Sequence, residues 1–254
     1  TPHPDRLPPL PRRSYPEAPF GPPPTRPHKG HNMRSAPFVE DWADIDLWAP
    51  LAECMREHRP EVAAFPDRPQ GFMKPDPVRV AHWRQMLSEL PGPKVGLLWT
   101  SLVINTHRQR FYTGFEQWEP LLRTPGASFV NLQYGDRSQD LRMVREKFGV
   151  EIFQPPGIDL KNDLDDVAAL SCALDLVVGI SNATFNIAAA CGVPSWLITT
   201  PRIWTLLGTD RYPWYSQVQA FQADSYTEWG GVMGRLAGEL EGLVGGGTQV
   251  AAAG

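Results

Sequence analysis

The 254-residue sequence has no long apolar run and only three cysteines. A membrane-spanning helix needs about 18 or more consecutive apolar residues, and no such stretch occurs. Cys54, Cys172 and Cys191 form no C-x-x-C pair and no cluster with histidine, so we expect no metal site. Because the number of cysteines is odd and two of them lie among small helical residues, we expect reduced packing residues and a cytoplasmic protein.

Basic residues are not in excess either. The 24 Lys and Arg residues against 28 Asp and Glu residues give a formal charge of −4. Proteins that bind a nucleic-acid backbone usually present a net basic face, so no nucleic-acid partner is expected. The sequence given shows neither the charged n-region nor the apolar h-region of a secretory signal. No G-x-G-x-x-G follows the strand predicted at Lys94–Trp99, which disfavours a dinucleotide site.

Proline is abundant and divides the chain. Residues 1–37 are dense in proline and poor in aliphatic side chains, which predicts a disordered or extended linker, with a proline-rich docking ligand as the alternative. Residues 38–75 predict a partly ordered connector. Residues 76–244 predict the ordered domain, and residues 245–254 predict a flexible tail of small residues.

Strand and helix patterns alternate through the ordered domain. It begins at Asp76-Pro77, a helix start with proline at the first helical position. This alternation predicts an α/β, Rossmann-like, doubly wound and mostly parallel six-strand sheet, preceded by the Pro-rich extended segment. The predicted strands are Lys94–Trp99, Ser128–Tyr134, Glu151–Phe153, Leu176–Ile180, Ser195–Ile198 and Gln219–Gln222. The predicted helices that follow Asp76 include Phe115–Leu122, Ser138–Phe148, Leu164–Leu174, Ala183–Cys191 and Thr227–Leu243.

The segment 165–199 is the most informative part of the sequence. Leu176–Ile180 is a continuous apolar run of strand length, typical of a parallel strand covered on both faces. Ser181 and Asn182 follow it directly and are good helix-capping residues. The free N–H groups at such a helix start lie at the carboxyl end of a strand, where α/β proteins bind phosphate. The sequence therefore predicts an anion site here.

Four polar loops follow the predicted strands and should meet in one crevice. The first contains Thr100, Ser101, Arg108 and Arg110, whose hydroxyl and guanidinium groups can bind a diphosphate; the alternative is that the arginines are solvated loop charges. His107 is a candidate general base, against the alternative of an exposed loop histidine. Catalytic residues are otherwise not identified.

The second and third loops have alternatives of their own. Gln133 and Tyr134 can approach a nucleobase, or can belong to an ordinary strand-to-helix turn. Asp163-x-Asp165 matches a short metal-binding pattern, but it precedes a helix, where acidic residues cap the helix and favour the positive end of its dipole. We therefore predict capping.

The fourth loop carries the strongest phosphate pattern. Its candidate binding residues are Ser181, Asn182, Ala183, Thr184 and Asn186, with pure helix capping as the alternative. The next loop holds Trp204, Asp210, Trp214 and Tyr215, a polar-aromatic set that suits a sugar or base face or covers the end of the sheet.

Several motifs in order over residues 72–244 resemble a known family, the C-terminal half of bacterial tetratricopeptide-linked glycosyltransferases. These enzymes are related to the heptosyltransferase and O-GlcNAc-transferase-like groups. The motifs are FMKPDPVRVAHWRQML, KVGLLWTS, the Arg110 region before FEQWEPLL, ASFVNLQYGD, DLKNDLDDVAALSCALDLVVGIS, NIAAACGVPSW and LGTDRYPWY.

The resemblance implies one half of a GT-B fold that binds the donor, a nucleotide-sugar. The nucleotide-sugar is then a substrate, and no cofactor is expected. It also implies a metal-independent inverting transferase, an upstream acceptor half or tetratricopeptide region, and a protein acceptor such as flagellin. Related transferases often have Asp-Thr and a helix His in the fourth loop, where this sequence has Ser181, Asn182 and Asn186. A non-catalytic nucleotide-sugar-binding or scaffold module is therefore the alternative function.

Overall fold

The computed structural model describes residues 9–18, 25–34, 39, 41–101 and 112–251. Its centre is a six-stranded sheet, accompanied by a small antiparallel hairpin near the N-terminus. The strands are β1 (Thr25–His28) and β2 (His31–Arg34) in the hairpin, and β3 (Lys94–Leu98), β4 (Ser128–Asn131), β5 (Ile152–Phe153), β6 (Leu176–Ile180), β7 (Ser195–Thr199) and β8 (Val218–Gln222) in the sheet. The helices are α1 (Pro9–Ser14), α2 (Leu51–His58), α3 (Pro77–Leu87), α4 (Glu119–Leu122), α5 (Ser138–Phe148), α6 (Leu164–Ser171), α7 (Ala183–Ala190) and α8 (Gly230–Ala251).

All neighbouring strands of the large sheet run parallel, in the order β5-β4-β3-β6-β7-β8. This is the doubly wound Rossmann order, in which the first strand lies centrally and the chain winds outward first to one side and then to the other. The direction of winding reverses between β3 and β6. Ligands of such sheets bind in the crevice beyond the carboxyl ends of the two strands at that switch point. The predicted Rossmann-like fold is confirmed.

Apolar side chains on the two faces of the strands build two cores. On one face, Val95, Leu97 and Val178 pack with α4, α5 and α8. On the other, Leu98 and Val177 pack with α3, α6 and α7. Strands covered on both faces need apolar residues at consecutive positions, and this is why β6 is the unbroken run Leu-Val-Val-Gly-Ile, buried throughout.

The start of α3 follows its predicted capping residue. Asp76 caps α3 by accepting the Val78 N–H at 2.9 Å, with Pro77 at the first helical position as predicted. The predicted helix Phe115–Leu122 differs slightly, since Phe115–Trp118 is a 3₁₀ helix that leads into α4. Pro120 explains the change because it lacks the N–H that a continuous α-helix would use there.

The part of the chain N-terminal to the domain differs from the prediction for residues 1–37. Within that segment α1 is a helix packed on the domain: Leu10 is buried against Ala168 and Ile187, and both guanidinium nitrogens of Arg13 donate to Asp165, at 2.9 and 2.8 Å. Proline-rich composition predicted a linker, but it gave no sign of this ion pair between residues 152 positions apart. At the other end, α8 extends to Ala251 and so enters the predicted tail 245–254.

The connector before α3 is held on the domain by a close approach of two backbones. The N–H groups of Phe72 and Met73 both donate to the Ala190 carbonyl, at 2.8 and 2.9 Å. A Cβ on Gly71 would lie 2.4 Å from that oxygen, so the site requires glycine. In the part of the chain that the structure describes, no helix combines the length and apolar character needed to cross a membrane.

Candidate functional site

The switch point brings two of the four predicted loops together. Thr100 and Ser101 follow β3, and Ser181 and Asn182 follow the adjacent β6, where Leu98 pairs with Gly179. Gly179 permits this close pairing, since a Cβ there would lie 2.5 Å from the Leu98 carbonyl oxygen. Thr100 is buried and Ser101 half-buried.

The first turn of α7 forms one side of the crevice. Asn182 is the N-cap, and its side-chain oxygen accepts the Phe185 N–H at 2.9 Å. The N–H groups of Ala183 and Thr184 have no partner within the helix, because the first turn of any α-helix leaves them free. Together with the positive end of the helix dipole, they make this turn attractive to an anion.

The Asn186 amide connects the cap to the preceding loop. Its nitrogen donates to the Asn182 carbonyl at 2.7 Å and to the Ser181 hydroxyl at 3.2 Å. Ser181 is exposed, so its hydroxyl keeps a side open to the crevice. The structure therefore brings together the fourth-loop residues that the sequence predicted, in an arrangement of neutral hydrogen-bonding groups.

Tyr212 completes this arrangement and was not among the predicted site residues. Its hydroxyl donates to the Asn186 side-chain oxygen at 3.3 Å and lies 3.4 Å from the Ser181 hydroxyl. Tyr212 is only 4% exposed. This burial raises the pKa of its hydroxyl above the ordinary value, so the group is neutral at physiological pH. We call Ser181, Asn182, Asn186 and Tyr212 the switch-point cluster.

No local pattern identifies Tyr212 in the sequence. It lies within the motif LGTDRYPWY, which contains two further aromatic residues close by, Trp214 and Tyr215. Only the return of the chain after β7 brings the Tyr212 hydroxyl to Asn186 in the first turn of α7. The sequence therefore indicated an aromatic loop near the site but not which of its residues reaches it.

Gln133 is predicted to approach a nucleobase, but in the structure its side chain bonds to the protein backbone. Its side chain is 1% exposed, and its oxygen accepts the N–H groups of Trp99 and Thr100, at 3.2 and 3.0 Å. The Gln133 N–H in turn donates to Asn131, which ends the ladder of β4 before the predicted boundary at Tyr134. Gln133 thus fixes the backbone from which Thr100 and Ser101 project, while Tyr134 is half-buried beside it.

The remaining first-loop candidates, His107, Arg108 and Arg110, lie outside the described residues. Their predicted roles stay predictions. The acidic third loop is described, and there the prediction of capping is confirmed: Asp163 is the N-cap of α6 and accepts the Asp166 N–H at 3.0 Å. Asp163 also pairs with Arg79 at 2.8 Å. Among the described residues, no group of three or more His, Cys, Asp or Glu side chains is placed to hold a metal ion.

A curated relative is similar to most of this chain. Protein FlbA of Caulobacter vibrioides is 49% identical to the chain over 236 residues, which are 92% of this chain and 39% of FlbA. The chain therefore spans about two fifths of the length of the relative it matches. No family model matches the chain.

Solved structures with a similar fold include bacterial heptosyltransferases. The ADP-heptose lipopolysaccharide heptosyltransferase II of E. coli has a TM-score of 0.49 at 13% identity, covering 68% of this chain and 53% of the enzyme. The E. coli heptosyltransferase WaaC with ADP has a TM-score of 0.45 at 15% identity, covering 65% and 48%. A family 9 glycosyl transferase from Veillonella parvula has a TM-score of 0.43 at 14% identity, covering 61% and 43%. At these scores and identities the likeness assigns no function.

Proposed function

We propose that this chain binds the nucleotide-sugar donor of a glycosyltransferase. The diphosphate of the donor lies at the first turn of α7, against the switch-point cluster, and the nucleoside extends toward Tyr134 in the loop that follows β4. The observation that carries the proposal is the position of the cluster. The free N–H groups of Ala183 and Thr184 and the Ser181 hydroxyl all lie at the carboxyl end of β6, at the reversal of a Rossmann-ordered sheet.

The chemistry of the cluster suits binding better than proton transfer. Amide and hydroxyl groups hold phosphate oxygens by hydrogen bonds, and the helix dipole stabilises the charge of a leaving nucleotide. Neither a carboxylate nor an imidazole belongs to the cluster. The catalytic base therefore comes from elsewhere, and the Arg108 and Arg110 guanidinium groups would supply the charge that offsets the diphosphate.

Three further parts of the proposal rest on the family resemblance alone. The transfer is inverting and metal-independent, the acceptor is a protein such as flagellin, and an acceptor half or tetratricopeptide region lies outside this chain. No cofactor takes part. Three free thiols support a cytoplasmic location.

A second candidate is a non-catalytic module that binds a nucleotide-sugar, or serves as a scaffold, with the fold retained. The observation that favours it is the same chemistry of the cluster, in which amides and hydroxyls occupy the positions suited to acid–base work. The two candidate functions are distinguished by measuring whether the nucleotide is released from bound donor when flagellin is present as acceptor. A transferase half releases it when combined with its acceptor half, whereas a binding module does not.

Isothermal titration of the full chain with UDP-, CMP-, GDP- and ADP-sugars tests the donor site. Ser181→Asp places a carboxylate where the proposal puts a phosphate, and the repulsion should abolish binding. Because Ser181 is exposed and precedes a helix N-terminus, where acidic groups are favourable, the fold should be unaffected. Thr227→Asp is the matched control, since Thr227 is exposed, precedes α8 and follows the edge strand β8 rather than β6.

Binding of one donor class that is lost in Ser181→Asp and kept in Thr227→Asp supports the proposal. Failure of every donor to bind at millimolar concentration overturns it. Equal binding by wild type and Ser181→Asp would show that the nucleotide-sugar occupies another site.

A further inference from the structure

We infer that Trp204 stacks its indole ring on the transferred sugar of the nucleotide-sugar, an assignment that rests on the proposed function. Trp204 lies in the loop after β7, and its side chain is 73% exposed. Large aromatic side chains are normally buried because of the free energy gained on leaving water. Trp204 has an edge-to-face contact with Trp214, but most of its ring surface remains in solvent and is open to a ligand.

The local fold turns Trp204 outward. Trp204–Leu206 is a 3₁₀ helix, in which residues three positions apart lie on the same side. Ile203 and Leu206 have this spacing, and both pack into the core formed with α3, α6 and α7. Trp204, next to Ile203, consequently points away from the core.

The loop that carries Trp204 has a defined backbone conformation. Arg202 and Leu207 have φ angles of 55° and 51°, in the left-handed region that non-glycine residues rarely adopt. Such conformations persist where surrounding contacts fix them, and they are frequent at ligand sites. The contacts here are hydrogen bonds to the carbonyls of the 3₁₀ helix, from Thr209 to Leu206 at 2.7 Å and from the Trp214 indole to Thr205 at 2.8 Å.

The same loop reaches the switch-point cluster. Trp204 meets Trp214 edge to face, with ring centroids 6.2 Å apart. Two residues before Trp214, the Tyr212 hydroxyl binds Asn186 in α7. Trp204 therefore belongs to a loop anchored on the first turn of α7, on the β7 side of the proposed phosphate position.

This side is where the sugar must lie if the nucleoside extends toward β4. The phosphate group joins nucleoside and sugar, so the two occupy opposite ends of the donor. One face of a pyranose ring is lined by C–H bonds, an apolar surface that packs on an indole ring while the hydroxyls stay solvated. Trp204 is then a specificity residue for the sugar and takes no part in binding the nucleotide.

The test compares two ligands and four proteins by isothermal titration. The ligands are the donor that binds the wild-type chain in the panel and the same nucleotide without its sugar. The proteins are wild type, Trp204→Ala, Trp204→Phe and Trp48→Ala, the last a control in the connector whose side chain is 84% exposed. Because both tryptophans are exposed, no variant should change the midpoint of thermal unfolding by more than a few degrees.

Trp204→Ala should weaken binding of the nucleotide-sugar by about fivefold and leave binding of the bare nucleotide unchanged, since an aromatic contact of this kind contributes on the order of 1 kcal/mol. Trp204→Phe should keep most of the affinity, and Trp48→Ala all of it. Equal loss for both ligands, or no loss for either, overturns the inference. If no donor binds wild type, the proposed function fails instead.

Discussion

The side-chain oxygen of Gln133 lies 3.0 Å from the backbone nitrogen of Thr100 and also accepts the N–H of Trp99. One buried amide thus joins the carboxyl ends of β4 and β3. These two N–H groups lie beyond the last residue of β3, where the ladder no longer supplies carbonyl partners. The shape of the crevice at Thr100 and Ser101 depends on this contact.

Gln133→Leu should lower the free energy of unfolding by about 2–3 kcal/mol, because it leaves two buried N–H groups unpaired. Urea denaturation followed by circular dichroism measures the change. Gln85→Leu, an exposed position in α3, is the control and should lie within about 0.5 kcal/mol of wild type. Equal midpoints for the two variants would contradict the role given to Gln133.

The bidentate pair of Arg13 with Asp165 should hold α1 on the domain. Asp165 is buried, and its two oxygens receive both guanidinium nitrogens. In Asp165→Asn this charge-assisted bonding is lost, and trypsin cleavage after Arg12 and Arg13 should accelerate by about tenfold, the equivalent of about 1.4 kcal/mol.

The control for that experiment is Glu53→Gln. Glu53 pairs with Arg56 on an exposed surface of α2, where ion pairs contribute little. Its rate of cleavage at Arg12 and Arg13 should equal that of wild type. Timed digestion with mass spectrometry gives the rates, and an unchanged rate in Asp165→Asn would show that other contacts hold α1.

Cys172 and Cys191 should differ in reactivity although they are neighbours. A hydrogen bond between the two thiols lowers the pKa of Cys172, whereas that bond and burial raise the pKa of Cys191 above its ordinary value. Since the thiolate is the reactive form, iodoacetamide at pH 8 should label Cys172 faster than Cys191. Peptide mass spectrometry follows each site, with labelling in urea as the control in which both react alike. Faster labelling of Cys191 in the folded protein would contradict this order.

The elements with local signals were predictable from the sequence. Asp76-Pro77 identifies the start of α3, and the apolar run Leu176–Ile180 identifies β6, because capping and burial on both faces impose these residue types. The contacts of Gln133 and Arg13 were not predictable, since each joins residues far apart in the sequence, 33 positions for Gln133 with Thr100. The order of strands in the sheet brings Gln133 to Thr100, and the packing of α1 on α6 brings Arg13 to Asp165. Composition carries no information on either. The same reason hid Tyr212.

Tyr212 and Tyr215 should make the stability of the protein depend on alkaline pH. Burial raises the pKa of Tyr212, and burial with nearby Tyr212 raises that of Tyr215 to about 12, from the ordinary value of 10.0. A phenol whose pKa is higher in the folded state stabilises the fold fully below pH 10, and this contribution is lost as the pH rises through the folded value. The free energy of unfolding should therefore fall between about pH 10 and 12.

Tyr215→Phe removes the phenol group and should make this alkaline decrease shallower. Urea denaturation at intervals across that range measures it, with Tyr226→Phe, an exposed position, as the control that keeps the wild-type slope. Tyr212→Phe should also make the alkaline decrease shallower. Unlike Tyr215→Phe, it should in addition weaken binding of the donor at neutral pH, because Asn186 loses the hydroxyl that orients its amide. If both variants bind the donor as tightly as wild type, Tyr212 does not position the cluster.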